Sequence, residues 1–296
     1  MYVRILYPIG RHAGTSYTSC MTDILAAEQR ARTEAAQYVS AHLGEQPEVA
    51  IILGSGLGPL ADEVEHATVI DYADIPHFPQ STVAGHAGKL VIGTLAGREV
   101  VCMQGRIHIY EGVPARTAVF PVELFHELGI NTLVVTNACG GLNPAFTAGD
   151  LMLQLDFINH TGQTPLTGPN EEPHPRFPVM FDCYDEEYNE LALESARELG
   201  IDLQRGVYLA ISGPAYATRA ELRAFRNMGA DAIGMSTVHE VTKARHLGMR
   251  VLGMSCVTDM ALPDRAEHAD HASVLATAER AGKNFRELVK HVLPNL

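Results

Sequence analysis

The chain has 296 residues, a formal net charge of −13 and 46% hydrophobic residues, which is the composition of an ordinary globular protein. Nucleic acid is a poor partner for so acidic a chain, because affinity for the phosphate backbone depends on clustered Lys and Arg. The sequence contains no run of about 18 apolar residues, and its N-terminus lacks the apolar core and cleavage site of a signal peptide. We therefore expect a cytoplasmic protein that binds neither membrane nor nucleic acid.

The five cysteines are widely spaced, and no two of them form a CxxC motif. Such spacing is typical of reduced thiols rather than of a disulfide framework or a zinc site. The 14 histidines show no HExxH or comparable ligand spacing, so we expect no metal. The absence of GxSxG leaves a serine-hydrolase site without support.

Residues 1–20 show no sustained period and are predicted to be an N-terminal tail, either disordered or an extension from an upstream start site. Thr22 and Asp23 form a helix-start signal before an Ala-rich run, and Gly44 is a helix stop. Because no shift in composition marks a linker within 21–296, the remainder is predicted to be one domain.

Short apolar runs rich in β-branched residues then alternate with helical stretches. The strands are predicted at 49–53, 89–95, 98–103, 132–137, 150–155, 206–212 and 250–257. The helices are predicted at 115–128, 185–199, 218–228, 238–247 and 271–292. This alternation predicts an α/β fold with a mixed, largely parallel central sheet flanked by helices, with its site at the carboxyl ends of the strands.

The sequence GSGLG at 54–58 follows the first of these strands, where a phosphate-binding turn is expected. Its glycine spacing differs from GxGxxG and it lacks the GK[ST] of a P-loop, so a nicotinamide-dependent dehydrogenase has weak support. Backbone N–H groups and the Ser55 hydroxyl suit a single phosphate. A tight turn without a ligand is an equally good interpretation of this motif alone.

The sequence QGRIHIYEG at 104–112 places polar side chains at alternate positions. In an extended conformation, Arg106, His108 and Tyr110 would share one face. Arg and His are donors for phosphate oxygens, and Tyr offers a flat surface for a sugar. The alternative interpretation is a solvated strand face that happens to be polar.

Three later residues are further candidates. The amide of Ala138, in TNACGGLNP, is placed to point at an anion beside two glycines that permit close approach. Ser236 precedes a predicted helix, where a serine is most often a cap. Asp259 ends a predicted strand, where burial of an acid would require a partner.

Taken together and in order, the motifs resemble those of the trimeric purine nucleoside phosphorylases, from about Asp23 to the C-terminus. The motifs are GSGLG, GHAGK, MQGRIHIYEG, TNACGGLNP, GPNEE, SGPAYAT and GADAIGMSTVHEV. The resemblance implies a single-domain α/β nucleoside-phosphorylase sandwich that assembles as a homotrimer. It also implies a pentosyltransferase of purine salvage, which cleaves a purine nucleoside with inorganic phosphate, a co-substrate, and needs no cofactor.

The resemblance also assigns roles to individual residues. The phosphate site comprises Ser55, His86, Arg106, His108, the amide of Ala138 and Ser236. The ribose site comprises Tyr110, Met235, His271 for the 5′-hydroxyl, and His174 from the neighbouring subunit. The base site comprises Tyr216, Ala217 and Asp259. The predicted catalytic residues are His108 and Asp259, the latter through a hydrogen bond at N7 of the leaving base.

Two residues depart from family members specific for 6-oxopurines, which usually read GP[SA][FY]ET and [ST]N where this chain has GPAYAT and TD. Ala217 offers no acceptor for N1–H, and an ionised Asp259 would repel O6 but can accept from a 6-amino group. Because an unpaired polar group costs about 1–3 kcal/mol, we expect a preference for adenosine.

Three alternatives stay open at this point. A 6-oxopurine phosphorylase would act on inosine or guanosine. A 5′-methylthioadenosine phosphorylase would share the aspartate at 259, but His271 is a poor neighbour for a methylthio group. A nucleoside-binding protein without catalysis would have no need of Arg106, His108 and Ser236.

Overall fold

The computed structural model describes residues 17–83, 87–264 and 271–296. The strands in these ranges are β1 (Val49–Leu53), β2 (Glu65–Asp71), β3 (Lys89–Leu95), β4 (Arg98–Gln104), β5 (Thr132–Gly141), β6 (Leu151–Asn159), β7 (Leu203–Ala210), β8 (Ala232–Gly234) and β9 (Arg250–Met260). The α-helices are α1 (Tyr17–Ser40), α2 (Ala115–Ala118), α3 (Phe120–Glu127), α4 (Glu186–Leu199), α5 (Arg219–Asn227), α6 (Val238–His246) and α7 (His271–Val292).

The strands form one mixed sheet in the order β2-β3-β4-β1-β5-β8-β7-β6-β9. Strand β9 also pairs with β5, so β5, β8, β7, β6 and β9 close into a ring. Strand β1 is parallel to both β4 and β5, and β5 is parallel to β9. Strand β3 is antiparallel to both of its neighbours, β2 and β4. The predicted α/β class with a mixed sheet and flanking helices is confirmed.

Strand β1, in the middle of the sheet, is apolar throughout, as expected where both faces of the sheet are covered. Ala50 and Ile52 of β1 pack in a core shared with α1, α3 and α6. The alternate residues Val49, Ile51 and Leu53 pack in a second core shared with α4 and α7. Burial on both faces fixes the register of β1, and so fixes where the chain turns out of the sheet after Leu53.

Several predicted bounds differ from the structure. Helix α1 begins at Tyr17, before the predicted start signal. The single helix predicted at 115–128 is divided into α2 and α3, with Pro121 in the first turn of α3, since proline favours a helix start over its interior. Strands β2 and β8 were not predicted: β2 is mostly exposed, and β8 has three residues. Residues 1–16 of the predicted tail, and His86, lie outside the described residues.

The close approach of β1 to β5 predicts the effect of a substitution at Gly54. A Cβ atom there would lie 2.6 Å from Cα of Asn137 and 3.0 Å from the carbonyl oxygen of Thr136, both backbone atoms. Gly54→Ala should therefore lower the free energy of unfolding by about 1–3 kcal/mol, measured by urea denaturation. Gly44→Ala is the matched control, because a Cβ at Gly44 meets nothing within 4 Å. Equal midpoints for the two variants would contradict this prediction.

Candidate active site

The sheet opens along one side of β5. Strand β1 pairs with β5 as far as Ile52 opposite Val135, and β8 pairs with β5 from Gly140 onward. Among the described strands, residues 136–139 therefore have a neighbour on the β9 side alone. A cavity of about 790 Å³ occupies this position, and Ala138 forms part of its wall.

Most of the predicted site residues line this cavity, although they come from separate parts of the chain. They are Ser55, Arg106, His108, Tyr110, Ala138, Tyr216, Ala217, Met235, Ser236 and Asp259. Of the others, His174 packs against the rings of His126 and His246, away from this cavity. The side chain of His271, at the start of α7, and the whole of His86 lie outside the described part of the chain.

Arg106 follows β4, and its side chain is almost fully buried. Its Nε donates to Oε1 of Glu240 in α6 at 2.7 Å, and its Nη1 donates to the carbonyl oxygen of Thr136 at 2.7 Å and to Oγ of Ser236 at 3.2 Å. Burial raises the pKa of Glu240, but the guanidinium of Arg106 outweighs this effect and lowers the pKa below its ordinary value. The pair is thus ionised, and it fixes the guanidinium at the cavity wall.

His108 is held by Glu111, three residues later. Oε1 of Glu111 accepts from the His108 backbone N–H at 2.7 Å and lies 3.5 Å from Nδ1 of the ring. Burial raises the pKa of Glu111, but hydrogen bonds from His108 and Thr82 lower it to about 2. Burial lowers the pKa of His108, although its hydrogen bond to Glu111 opposes the shift. The imidazole is therefore neutral at neutral pH and carries a single N–H. A donor role of His108 toward an oxyanion requires the tautomer protonated at Nε2, because a proton on Nδ1 would face Glu111.

The prediction of an extended conformation for 104–112 is wrong. Strand β4 ends at Gln104, Gly105 has φ of 118°, and a 3₁₀ helix begins at Ile109, because Glu111 and His108 form a capping box that turns the chain. The alternative of a solvated polar face is also wrong, since Arg106 and His108 are 1% and 7% exposed. Tyr110 still reaches the same cavity, with its ring stacked on that of His108.

Ser236 lies between β8 and α6. The expectation that it caps the helix is wrong, because Thr237 occupies the N-cap position. The Ser236 hydroxyl instead accepts from Arg106 and lies 3.4 Å from the hydroxyl of Tyr208. It thus belongs to the cavity wall rather than to the helix.

The amide of Ala138 faces the same region. The carbonyl oxygen of Thr136 points to the open side of β5, where it accepts from Arg106. Because backbone groups of alternate residues in a strand point the same way, the N–H of Ala138 also points to that side. Together with Arg106, His108 and Ser236, it makes one end of the cavity rich in donors, which is the chemistry that binds an oxyanion.

The other end of the cavity has a largely apolar wall that carries one acid, Asp259, and the lining also includes Thr218 and Arg219. Asp259, near the end of β9, accepts from Oγ1 of Thr258 at 3.3 Å, and burial raises its pKa above the ordinary value of 3.8. The apolar lining at this end is provided by Ile211, Ala217, Leu222, Ile233, Ala261 and Leu262. Tyr216, 59% exposed, lies at the edge. A flat heteroaromatic ring suits such a surface, with the carboxyl group as its polar contact.

Three residues of this site escaped the sequence analysis: Glu240, Glu111 and Tyr208. Glu111 carried a local signal, because an acid three residues after an N-cap is the spacing of a capping box. Glu240 and Tyr208 carried none, since an acid in the first turn of a helix and a tyrosine in a strand are common.

The described ranges give no support for a metal site, a disulfide or a membrane-spanning helix. They contain no group of three or more His, Cys, Asp or Glu side chains that could hold a metal ion. Cys102, Cys139, Cys183 and Cys256 are free and buried. No helix in those ranges is long and apolar enough to cross a membrane.

The model of the phosphorylase superfamily matches residues 48–294, and the chain belongs to this family. Purine nucleoside phosphorylase 1 of Bacillus subtilis is 49% identical over 260 residues, which are 88% of this chain and 96% of that protein. Purine nucleoside phosphorylase of Bos taurus is 46% identical over 271 residues, 89% and 94% of the two chains.

Solved structures with a similar fold are also of a purine nucleoside phosphorylase. Schistosoma mansoni purine nucleoside phosphorylase in complex with adenosine aligns with a TM-score of 0.86 and 39% identity, covering 90% of this chain and 96% of that chain. The same enzyme in complex with inosine aligns with a TM-score of 0.86 and 37% identity over the same shares. The resemblance to the purine nucleoside phosphorylases that the motifs indicated is therefore confirmed, and the trimeric assembly stays a prediction.

The burial of Arg106 predicts the effect of removing its counter-charge. Glu240→Ala would leave a buried guanidinium without a carboxylate and should lower the free energy of unfolding by about 3–5 kcal/mol. Glu187→Ala is the control, because its ion pair with Arg250 is at the surface and should contribute at most about 1 kcal/mol. Urea denaturation of both variants provides the measurement. If Glu240→Ala lowers the free energy of unfolding no more than Glu187→Ala does, the buried pair does not hold the site together.

Proposed function

We propose that the chain is a purine nucleoside phosphorylase, which transfers the ribosyl group of a purine nucleoside to inorganic phosphate and releases the free base. The observation that carries this proposal is the polarity of the one cavity. Arg106, His108 and Ser236 make an oxyanion site at one end, and Asp259 is the acid in an apolar surface at the other. A nucleoside between them has its C1′ atom facing the phosphate and its base facing Asp259.

The reaction requires charge stabilisation on both sides of the sugar. A phosphate oxygen attacks C1′, the bond from C1′ to the purine nitrogen breaks, and its electron pair leaves with the base. As the sugar gains oxocarbenium character, the bound phosphate beneath it stabilises the positive charge. A hydrogen bond at N7 stabilises the negative charge on the leaving purine: a protonated Asp259 donates it, whereas an ionised Asp259 accepts it from an N7 that is already protonated. Neither contribution requires a cofactor.

For the sugar itself, we propose contacts with Tyr110 and Met235, both of which line the cavity. The roles of His271 at the 5′-hydroxyl and of His86 and Ser55 at the phosphate are carried over from the family resemblance. In the sequence, Ser55 follows β1, His86 precedes β3 and His271 begins α7.

We also propose a homotrimer in which His174 reaches the ribose site of a neighbouring subunit. His174 lies in the same loop as Phe177, Val179 and Phe181, whose side chains are 88%, 72% and 85% exposed. Exposed apolar side chains this close together support a protein interface. The buried free thiols, such as Cys102, support a reducing, cytoplasmic location.

Within this activity we propose a preference for adenosine. The wall beside Asp259 carries Ala217, which offers no acceptor for the N1–H of a 6-oxopurine. The Asp259 carboxylate, once ionised, accepts a hydrogen bond from a 6-amino group and repels a 6-oxo group. Each mismatched polar contact costs about 1–3 kcal/mol, which corresponds to one or two orders of magnitude in kcat/KM.

One observation favours a second candidate, a 6-oxopurine phosphorylase. Burial raises the pKa of Asp259, and a protonated carboxyl group can donate to O6 or N7. The Schistosoma mansoni relative has been solved with both adenosine and inosine. The protonation state of Asp259 thus decides between the two substrate classes.

Rates of phosphate-dependent base release with adenosine, inosine and 5′-methylthioadenosine test the proposal. We expect all release to require phosphate, with adenosine favoured over inosine by about tenfold or more in kcat/KM. The double variant Asp259→Asn with Ala217→Glu should reverse this preference, whereas Asp202→Asn, an exposed aspartate away from the cavity, should leave it unchanged. A strong preference of the wild-type enzyme for inosine would refute the adenosine assignment, and release without phosphate would refute the phosphorylase.

The pH dependence provides an independent measurement. As pH rises through the raised pKa of Asp259, the carboxyl group loses its proton and becomes an acceptor for the 6-amino group. The ratio of kcat/KM for adenosine to that for inosine should therefore increase with pH, in a range above the ordinary aspartate value of 3.8. Ionisation of phosphate cancels in this ratio because both reactions use it. The profile should be flat in Asp259→Asn, and a slope retained in that variant would assign the effect to another group.

A further inference from the structure

Thr237 has an unusual backbone for its residue type. It follows Ser236, its φ is 76° and ψ is −51°, and it is fully buried. A β-branched residue rarely adopts positive φ, because its Cβ substituents crowd the backbone. Strain of this kind persists where the surrounding structure enforces it, and it is concentrated at functional sites. The side chain of Thr237 explains what the strain achieves.

The hydroxyl of Thr237 lies between an amide and another hydroxyl. Nδ2 of Asn137 donates to Oγ1 of Thr237 at 2.8 Å, and Oγ1 of Thr237 lies 3.1 Å from Oγ of Ser236. Since the amide of Asn137 can only donate through Nδ2, the hydrogen of the Thr237 hydroxyl is left for Ser236. Asn137 therefore determines the direction in which Thr237 donates.

The hydroxyl of Ser236 consequently has both of its lone pairs engaged. One accepts from Thr237, and the other accepts from Nη1 of Arg106 at 3.2 Å. The remaining polar neighbour is the hydroxyl of Tyr208 at 3.4 Å, whose oxygen already accepts from the Ser236 backbone N–H. Ser236 lines the cavity, so with both lone pairs engaged its own hydrogen is available to an acceptor bound there.

We propose that Thr237, oriented by Asn137, is a positioning residue that holds the Ser236 hydroxyl as a donor toward phosphate. This inference rests on the proposed function, in which Ser236 binds phosphate. A hydroxyl that is oriented in advance stabilises a bound oxyanion without reorganisation, whereas a freely rotating one must be ordered at each binding event. Within the described part of the chain, the buried Oδ1 of Asn137 has no hydrogen-bond partner, so this amide acts through its Nδ2.

Steady-state kinetics of Thr237→Val test this role, because valine keeps the shape and removes the hydroxyl. We expect the KM for phosphate to rise about five- to tenfold, with the KM for the nucleoside unchanged within about twofold. Thr237→Ser retains the hydroxyl and should restore the phosphate KM. Thr242→Val is the matched control: its buried hydroxyl donates to the carbonyl oxygen of Val238 within α6, and its loss should leave both KM values unchanged.

A double-variant cycle with Ser236→Ala separates positioning from a general structural effect. If Thr237 acts through Ser236, Thr237→Val should raise the phosphate KM no further in the Ser236→Ala background. Additive effects would overturn the proposal, as would an unchanged phosphate KM in Thr237→Val. If Ser236→Ala itself leaves the phosphate KM unchanged, the phosphate site of the proposed function is wrong instead.

Asn137→Ala provides a second test if Thr237→Val does not fold. It removes the donor to Thr237 without altering the strained residue, and it should raise the phosphate KM by about two- to fivefold while leaving the nucleoside KM unchanged. A rise in the nucleoside KM alone would contradict the inference.

Discussion

The buried ion pair between Arg106 and Glu240 is the interaction on which the cavity depends. The two residues are far apart in sequence, one after β4 and the other in α6, and neither charge is stable in the interior without the other. Their pairing therefore requires that the end of β4 and the start of α6 meet at the open side of β5. The carbonyl oxygen of Thr136 completes the arrangement by accepting from the same guanidinium. Once these three elements meet, Ser236 and the amide of Ala138 face the same space.

This pairing also bears on the proposed binding of phosphate by a protein of net charge −13. Glu240 compensates the charge of Arg106, and burial keeps His108 neutral, so the oxyanion site is built from oriented donors rather than from a large excess of positive charge. In a partly buried cavity such donors are effective because little water competes with them. Glu111 serves the same purpose for His108 that Glu240 serves for Arg106: a buried or hydrogen-bonded acid fixes the donor beside it.

The sequence predicted the elements whose pattern is local, and missed those that depend on distant partners. The bounds of β1 and β3 were predicted to the residue because each contains a run of apolar residues buried on both faces, VAIIL in β1 and LVI in β3. Arg106 and His108 were recognised, but as a strand face, because the turn at Gly105 is set by φ rather than by hydrophobic period. Glu240 could not be found, since its role follows from a guanidinium 134 positions earlier. A three-residue strand such as β8 likewise has too few residues to show a period.

The two ends of the cavity differ in how much of the fold holds them. The oxyanion end involves a buried ion pair, a capping box and the strained Thr237, so a change to any of them disturbs the packing of several elements. The base end is an apolar wall with one carboxyl group, whose hydrogen-bond partner is the adjacent Thr258. A substitution at 217 or 259 therefore alters which purine is recognised while leaving the phosphate site intact. In the proposed function, phosphate binding and the choice of purine are thus separable, because the proposed phosphate ligands contact one another, whereas Asp259 is hydrogen-bonded to the adjacent Thr258.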